Sequence, residues 1–230
     1  MRRRPAVLTC AALIVACTSV VPVATDIPLA KVGVPPGNEK RAAVAIRDDV
    51  TPFQKWGSRE FTLPHIERYY GKAWYFTLSG DQSQVKDFSS AVGQALIEHD
   101  AVDLYLLAHS NKLIDWVAVL PEADRQKLRL VYNTGCSDLK QGRKWIELGA
   151  KAYVGHAGVS MSPVFYVYFL RRWTRGMELE DAVRDGNRRA FRVFDALGTA
   201  SAGALDPERL KADSEAVIYG DRCLRIEGGP

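Results

Sequence analysis

Two stretches decide the fold of this chain: Val102-Asp-Leu-Tyr-Leu-Leu-Ala-His109-Ser110 and Leu128-Arg-Leu-Val-Tyr-Asn-Thr-Gly-Cys136-Ser137. In each, apolar residues run almost unbroken over the length of one strand, the pattern of a strand buried on both faces of a parallel sheet. Upstream, 41–47 and 73–79 read as strands. Val85, Phe88, Val92 and Leu96, with Ala91 and Ala95 beside them, make 83–99 an amphipathic helix. Residues 50–72, polar and aromatic without a clean period, read as a loop. Downstream, 138–148 read as a helix closed by Gly149, 150–155 as another buried strand, 163–175 and 179–194 as helices, and 216–219 as a last strand. This alternation predicts an α/β fold with a mostly parallel central sheet and helices on both faces.

The composition agrees. Of 230 residues, 47% are hydrophobic and 25% charged, which excludes disordered, collagenous and coiled-coil chains. Removing the three cations of Arg2, Arg3 and Arg4 from the formal charge of +4 leaves +1, with the basic residues scattered along the sequence. Without a dominant basic face, no nucleic-acid partner is expected.

The N-terminus reads as a targeting signal. A cationic start is followed by an apolar run over 6–16, matching a secretory h-region and too short to span a bilayer. The run ends Ile14-Val15-Ala16-Cys17, which resembles the bacterial lipobox and makes Cys17 the candidate lipidation site; plain cleavage near Ala24 is the alternative. The expected organisation is a signal peptide over 1–16, a lipidated Cys17 with an extended Pro-containing tether over 17–40, and one α/β domain over 41–228. Such a chain would be exported and held on the cell envelope through its lipid. Thr18 after the Cys, where the inner-membrane retention signal has Asp, favours the outer membrane in a diderm cell.

In open parallel sheets, function gathers at the carboxyl ends of the strands. His109 and Cys136 end consecutive core strands there. A neutral imidazole beside a thiol takes its proton, and a thiolate at the start of the helix near Ser137 gains from the helix dipole. The backbone N–H groups of Cys136 and of a residue near Ser110 are the candidate oxyanion donors. Taken singly, a Cys at a strand end is a small buried hydrophobe and a His there a satisfied polar residue; the pairing points to chemistry. Cys136 has a competing use, a disulfide with Cys223, which an exported protein permits. His156 ends another strand and could line the same crevice, in a substrate-loop or structural role rather than a catalytic one; Asp138 and Asp103 are charged residues near candidate strand ends, and Asp138 doubles as an acidic first-turn residue. No cofactor is expected, and the His and Cys spacing supports no metal site.

The His109 and Cys136 blocks resemble those of the caspase-like cysteine peptidases, the group that includes gingipains, clostripain, separase and bacterial CHAT domains. The segment Trp145-Ile-Glu-Leu-Gly-Ala-Lys-Ala-Tyr-Val-Gly155 resembles the stretch after the nucleophile in that group. Phe169-Leu-Arg-Arg-Trp173, Gly176-Met-Glu-Leu-Glu-Asp-Ala182 and Asn187 are similar to its paired helices, and Ile218-Tyr-Gly-Asp-Arg-Cys-Leu-Arg225 to its closing segment. The resemblance covers about residues 100–226 in order. It implies a caspase-like three-layer sandwich and a peptidase in which Cys136 attacks a peptide or protein substrate and His109 serves as base and then acid. Ser110 stands where the family has Gly after the His, bringing a Cβ toward the oxyanion position. A caspase-like module that binds a partner without turnover is the alternative function.

Overall fold

The computed structural model describes residues 37–47, 52–77, 83–107 and 112–226. Among the described residues, six strands form one sheet: β1 (Arg41–Arg47), β2 (Lys72–Thr77), β3 (Ala101–Leu107), β4 (Leu128–Asn133), β5 (Ala152–His156) and β6 (Ala216–Gly220). Their order is β2-β1-β3-β4-β5-β6, with β1 to β5 parallel and β6 antiparallel on the edge. The helices are α1 (Pro52–Tyr69), α2 (Ser83–Glu98), α3 (Leu113–Ala118), α4 (Glu122–Arg125), α5 (Gly142–Glu147), α6 (Ser162–Trp173), α7 (Leu179–Ala200) and α8 (Pro207–Ser214).

Side chains alternate across the pleat, so each inner strand feeds both faces. Ala43, Ala45, Tyr105, Tyr132 and Val154 pack with α1, α6 and α7. Ala42, Val44, Ile46, Leu104 and Val131 pack on the other face with α2, α3 and Trp145 of α5. Each fully buried Leu, Ile or Phe contributes about 1.5–3 kcal/mol, which is why strands apolar on both faces lie inside a covered sheet. The fold is an α/β three-layer sandwich, as the strand patterns predict. Gly149 closes the turn after α5 at φ +112°, where an added Cβ would lie 2.8 Å from the carbonyl oxygen of Arg125.

The structure corrects one element outright. Residues 50–72 are not a loop: α1 occupies Pro52–Tyr69 despite an internal Pro64. Its buried stripe is narrow, Thr62 and Ile66 followed by Tyr70, and it is held by packing on α6. Tertiary contact overrides a weak local pattern here. The helix expected over 138–148 opens as a 3-10 turn, Asp138–Gln141, before α5, so Cys136 faces a short and poorly aligned dipole. Among the described residues, no helix is long and apolar enough to cross a membrane.

Candidate active site

The strand order reverses direction between β1 and β3, and ligands of open α/β sheets bind beyond the carboxyl ends at such a switch point. β3 and β4 leave the sheet side by side there. Leu106 lies opposite Asn133, and beyond the last pair the Thr134 N–H donates to the Leu106 carbonyl at 2.8 Å. Asn133 Oδ1 accepts from the Gly135 N–H at 2.9 Å, an Asx turn that lifts the chain off β4 into Cys136. Cys136 is partly exposed.

Ser137 follows in the left-handed region at φ 58°, ψ 26°. Its N–H donates to the Gly158 carbonyl at 2.8 Å, and the Gly158 N–H donates to the Asp213 carbonyl at 2.8 Å. Ser214 Oγ donates to the Val159 carbonyl at 2.7 Å. A chain of bonds thus runs from the end of α8 through the loop after β5 to the residue beside Cys136. Gly158 is required by close approach, since a Cβ there would run into the Asp213 carboxylate. Sequence reasoning did not find this clamp; the Gly158 of Gly155-His-Ala-Gly158 was its signal.

The other expected site residues fall in different places. His109 and Ser110 lie outside the described residues, as does Cys17. Asp138 is at the carboxyl edge but fully buried, its Oδ1 accepting from Gln141 Nε2 at 3.0 Å and its carbonyl from Tyr153 Oη at 2.6 Å. His156 is also fully buried, with Nδ1 2.8 Å from the Ser214 carbonyl and the ring stacked on Tyr132 at 5.9 Å. Burial outweighs its backbone bonds to Ser214 and Glu215 and lowers its pKa to about 4, so at neutral pH it is an uncharged strut.

Asp103 lies at the amino-terminal half of β3, away from the crevice, as the centre of a closed core network. Arg129 grips it with Nε at 2.8 Å and a terminal nitrogen at 2.5 Å, while Tyr70 Oη and Trp173 Nε1 donate to the same carboxylate. The register shift between β3 and β4 supplies the geometry: Arg129 is the extra residue between Leu128 and Leu130 and is turned toward Asp103. Two opposite charges inside two apolar runs were the available signal. Cys136 and Cys223 are both thiols, not a disulfide. Because β6 runs antiparallel, it carries Cys223 to the amino edge of the sheet, the opposite edge from Cys136.

Among the described residues no group of His, Cys, Asp and Glu is arranged to hold a metal ion. What the edge offers is a held, partly exposed thiol at the end of β4 beside the departing end of β3. No family model and no curated protein matches the sequence. Among solved structures, the crystal structure of drICE, a caspase, overlaps with a TM-score of 0.41 at 8% identity, over 80% of this chain and 89% of that chain. An overlap this loose assigns neither family nor activity.

Proposed function

We propose that this chain is a caspase-like cysteine peptidase of the cell envelope, anchored by lipid on Cys17 and cleaving peptide bonds through Cys136. The observation that carries the reading is the parallel register of β3 and β4. Leu106 is opposite Asn133, and three positions further along each chain stand His109 and Cys136. The resemblance of both blocks to the caspase-like group supports the assignment of roles.

In this mechanism His109 takes the thiol proton, and the Cys136 sulfur attacks the substrate carbonyl carbon. The oxyanion accepts from the Cys136 N–H and from a donor near Ser110; the Ser137 N–H is committed to Gly158. The C–N bond breaks as His109 returns the proton to the leaving amine. Water, deprotonated by the same imidazole, then hydrolyses the thioester. One residue favours a second reading as a binding module: Ser110, which stands in the sequence where the family has Gly.

The test is digestion of a diverse peptide library read by mass spectrometry. Wild type is expected to cut at a restricted set of residues and Cys136→Ala to cut nowhere. Cleavage that survives Cys136→Ala would refute the peptidase reading. If wild type is inert and Ser110→Gly creates Cys136-dependent cleavage, the binding reading holds for the natural chain.

A further inference from the structure

The edge of the sheet opposite Cys136 carries a cluster of arginines. α1 and α6 pack together and both end there, α1 leading into the start of β2 and α6 bringing Trp173 to Tyr70 and Asp103. Their last turns and the turn after α6 supply Arg68, Arg171, Arg172 and Arg175, and α7 supplies Arg188 and Arg189. Among the described residues, Asp185 is the one carboxylate bonded to any of these six. It accepts from Arg172 Nε at 3.0 Å, Arg189 Nε at 2.8 Å and Arg188. Burial would raise its pKa, yet Arg189, Arg188 and Arg172 overcome that and hold it down at about 2.

Arg68, Arg171 and Arg175 have no bonded carboxylate among the described residues. Each helix C-terminus offers them only about half a negative charge. Arg171 is half-buried, and its pKa is lowered first by burial and then by Arg175, Arg172 and Arg189. His65 lies one turn before Arg68 and Tyr69, stacked on the Tyr69 ring at 6.2 Å, while Arg68 lies over the same ring at 5.4 Å. His65 Nδ1 and Arg68 Nε are buried and have no hydrogen-bond partner among the described residues. Burial first, then Arg175, Arg171 and Arg68, lower the His65 pKa to about 4.

We propose that His65, Arg68, Arg171 and Arg175 form a binding site for a phosphate-class oxyanion. Unpaired guanidiniums present planar donor forks that match phosphoryl oxygens, and an added anion would relieve the repulsion among them. The site stands independently of the chemistry at Cys136. Its place in the molecule narrows the source. Asn38 Nδ2 donates to the Tyr69 carbonyl at 2.9 Å and the Gly71 N–H to the Asn38 carbonyl at 3.0 Å, so the chain coming from Cys17 enters β1 beside the arginines. A membrane-held chain would keep this edge, where its tether enters, within reach of phospholipid headgroups. The same phosphoryl chemistry is met by a small soluble phosphate.

The experiment uses the full chain, wild type and Arg171→Gln/Arg175→Gln, with inorganic pyrophosphate in one arm and phosphatidylglycerol against phosphatidylcholine vesicles in the other. In wild type, pyrophosphate is expected to raise the thermal midpoint and to move the His65 ring resonances in NMR. Losing each arginine should weaken binding by about tenfold or more. Variant-sensitive flotation with phosphatidylglycerol vesicles and weak pyrophosphate binding would identify the headgroup as the source; the reverse would identify a soluble phosphate. The apolar run over 6–16 contributes equally to both proteins. Without ligand, the double variant should be as stable as wild type or more so, since like charges have been removed. The proposal is overturned if neither anion binds in a variant-sensitive way. It is also overturned if the double variant loses stability without ligand, which would make these arginines structural partners.

Discussion

Ser137 holds a left-handed backbone conformation without being a glycine, at a cost of about 1–2 kcal/mol, and such strain collects where a side chain must be presented at a fixed angle. Ser137→Gly should therefore raise stability by about 0.5–1 kcal/mol in urea unfolding, the glycine's greater chain entropy offsetting part of the relief. A fall instead would show that the serine side chain holds the turn. His156 gives a pH dependence. With its folded pKa lowered to about 4 against about 6.5 unfolded, its contribution is complete above pH 6.5 and is lost as pH falls toward 4. The loss amounts to on the order of 3 kcal/mol by the bottom of that window. Denaturation midpoints at pH 7 and pH 5 should differ more in wild type than in His156→Gln, whose amide can keep the bond to Ser214 without taking a proton.

Between β3 and β4 the Asp103–Arg129 pair is sealed with Tyr70 and Trp173. Breaking it from one side leaves a buried charge, so Arg129→Met should cost about 3–5 kcal/mol, whereas the double change Asp103→Leu/Arg129→Met should recover most of that loss. Equal losses in both variants would show that the residues do not act as a pair. The same two strands mark what the sequence makes legible. Their unbroken apolar runs identify buried parallel strands, and Phe88, Val92 and Leu96 fix α2, because burial on known faces imposes those periods. α1 was illegible for the converse reason: its stability comes from α6, far along the chain, and its own pattern contains Pro64. At the site, the strand ends placed Cys136 correctly at the carboxyl edge. The direction of β6, which removes Cys223 from reach, and the burial of Asp138 and His156 depend on long-range packing that no local pattern encodes.

As a whole, the molecule has two opposed ends, the carboxyl edge with Cys136 and the amino edge where 37–40 enter the sheet beside Tyr69. A lipid on Cys17 would attach the molecule through the amino edge. Wild type should therefore partition into the detergent phase and carry acyl mass on residue 17, and Cys17→Ser should lack that mass; recovery of wild type wholly in the aqueous phase would contradict the anchor. The central claim is that Cys136 is a nucleophile activated by His109, and the thiols of Cys136 and Cys223 allow it to be measured within one protein. Cys223 is exposed, and Glu178, burial and Asp221 raise its pKa, so it serves as an unactivated reference. The decisive measurement is the rate at which an electrophilic peptide probe modifies each cysteine at pH 7, in wild type and in His109→Ala. Cys136 is expected to react far faster than the more exposed Cys223, and His109→Ala to slow Cys136 alone by on the order of 10²-fold or more. Equal rates at the two cysteines, or a Cys136 rate unchanged by His109→Ala, would contradict it.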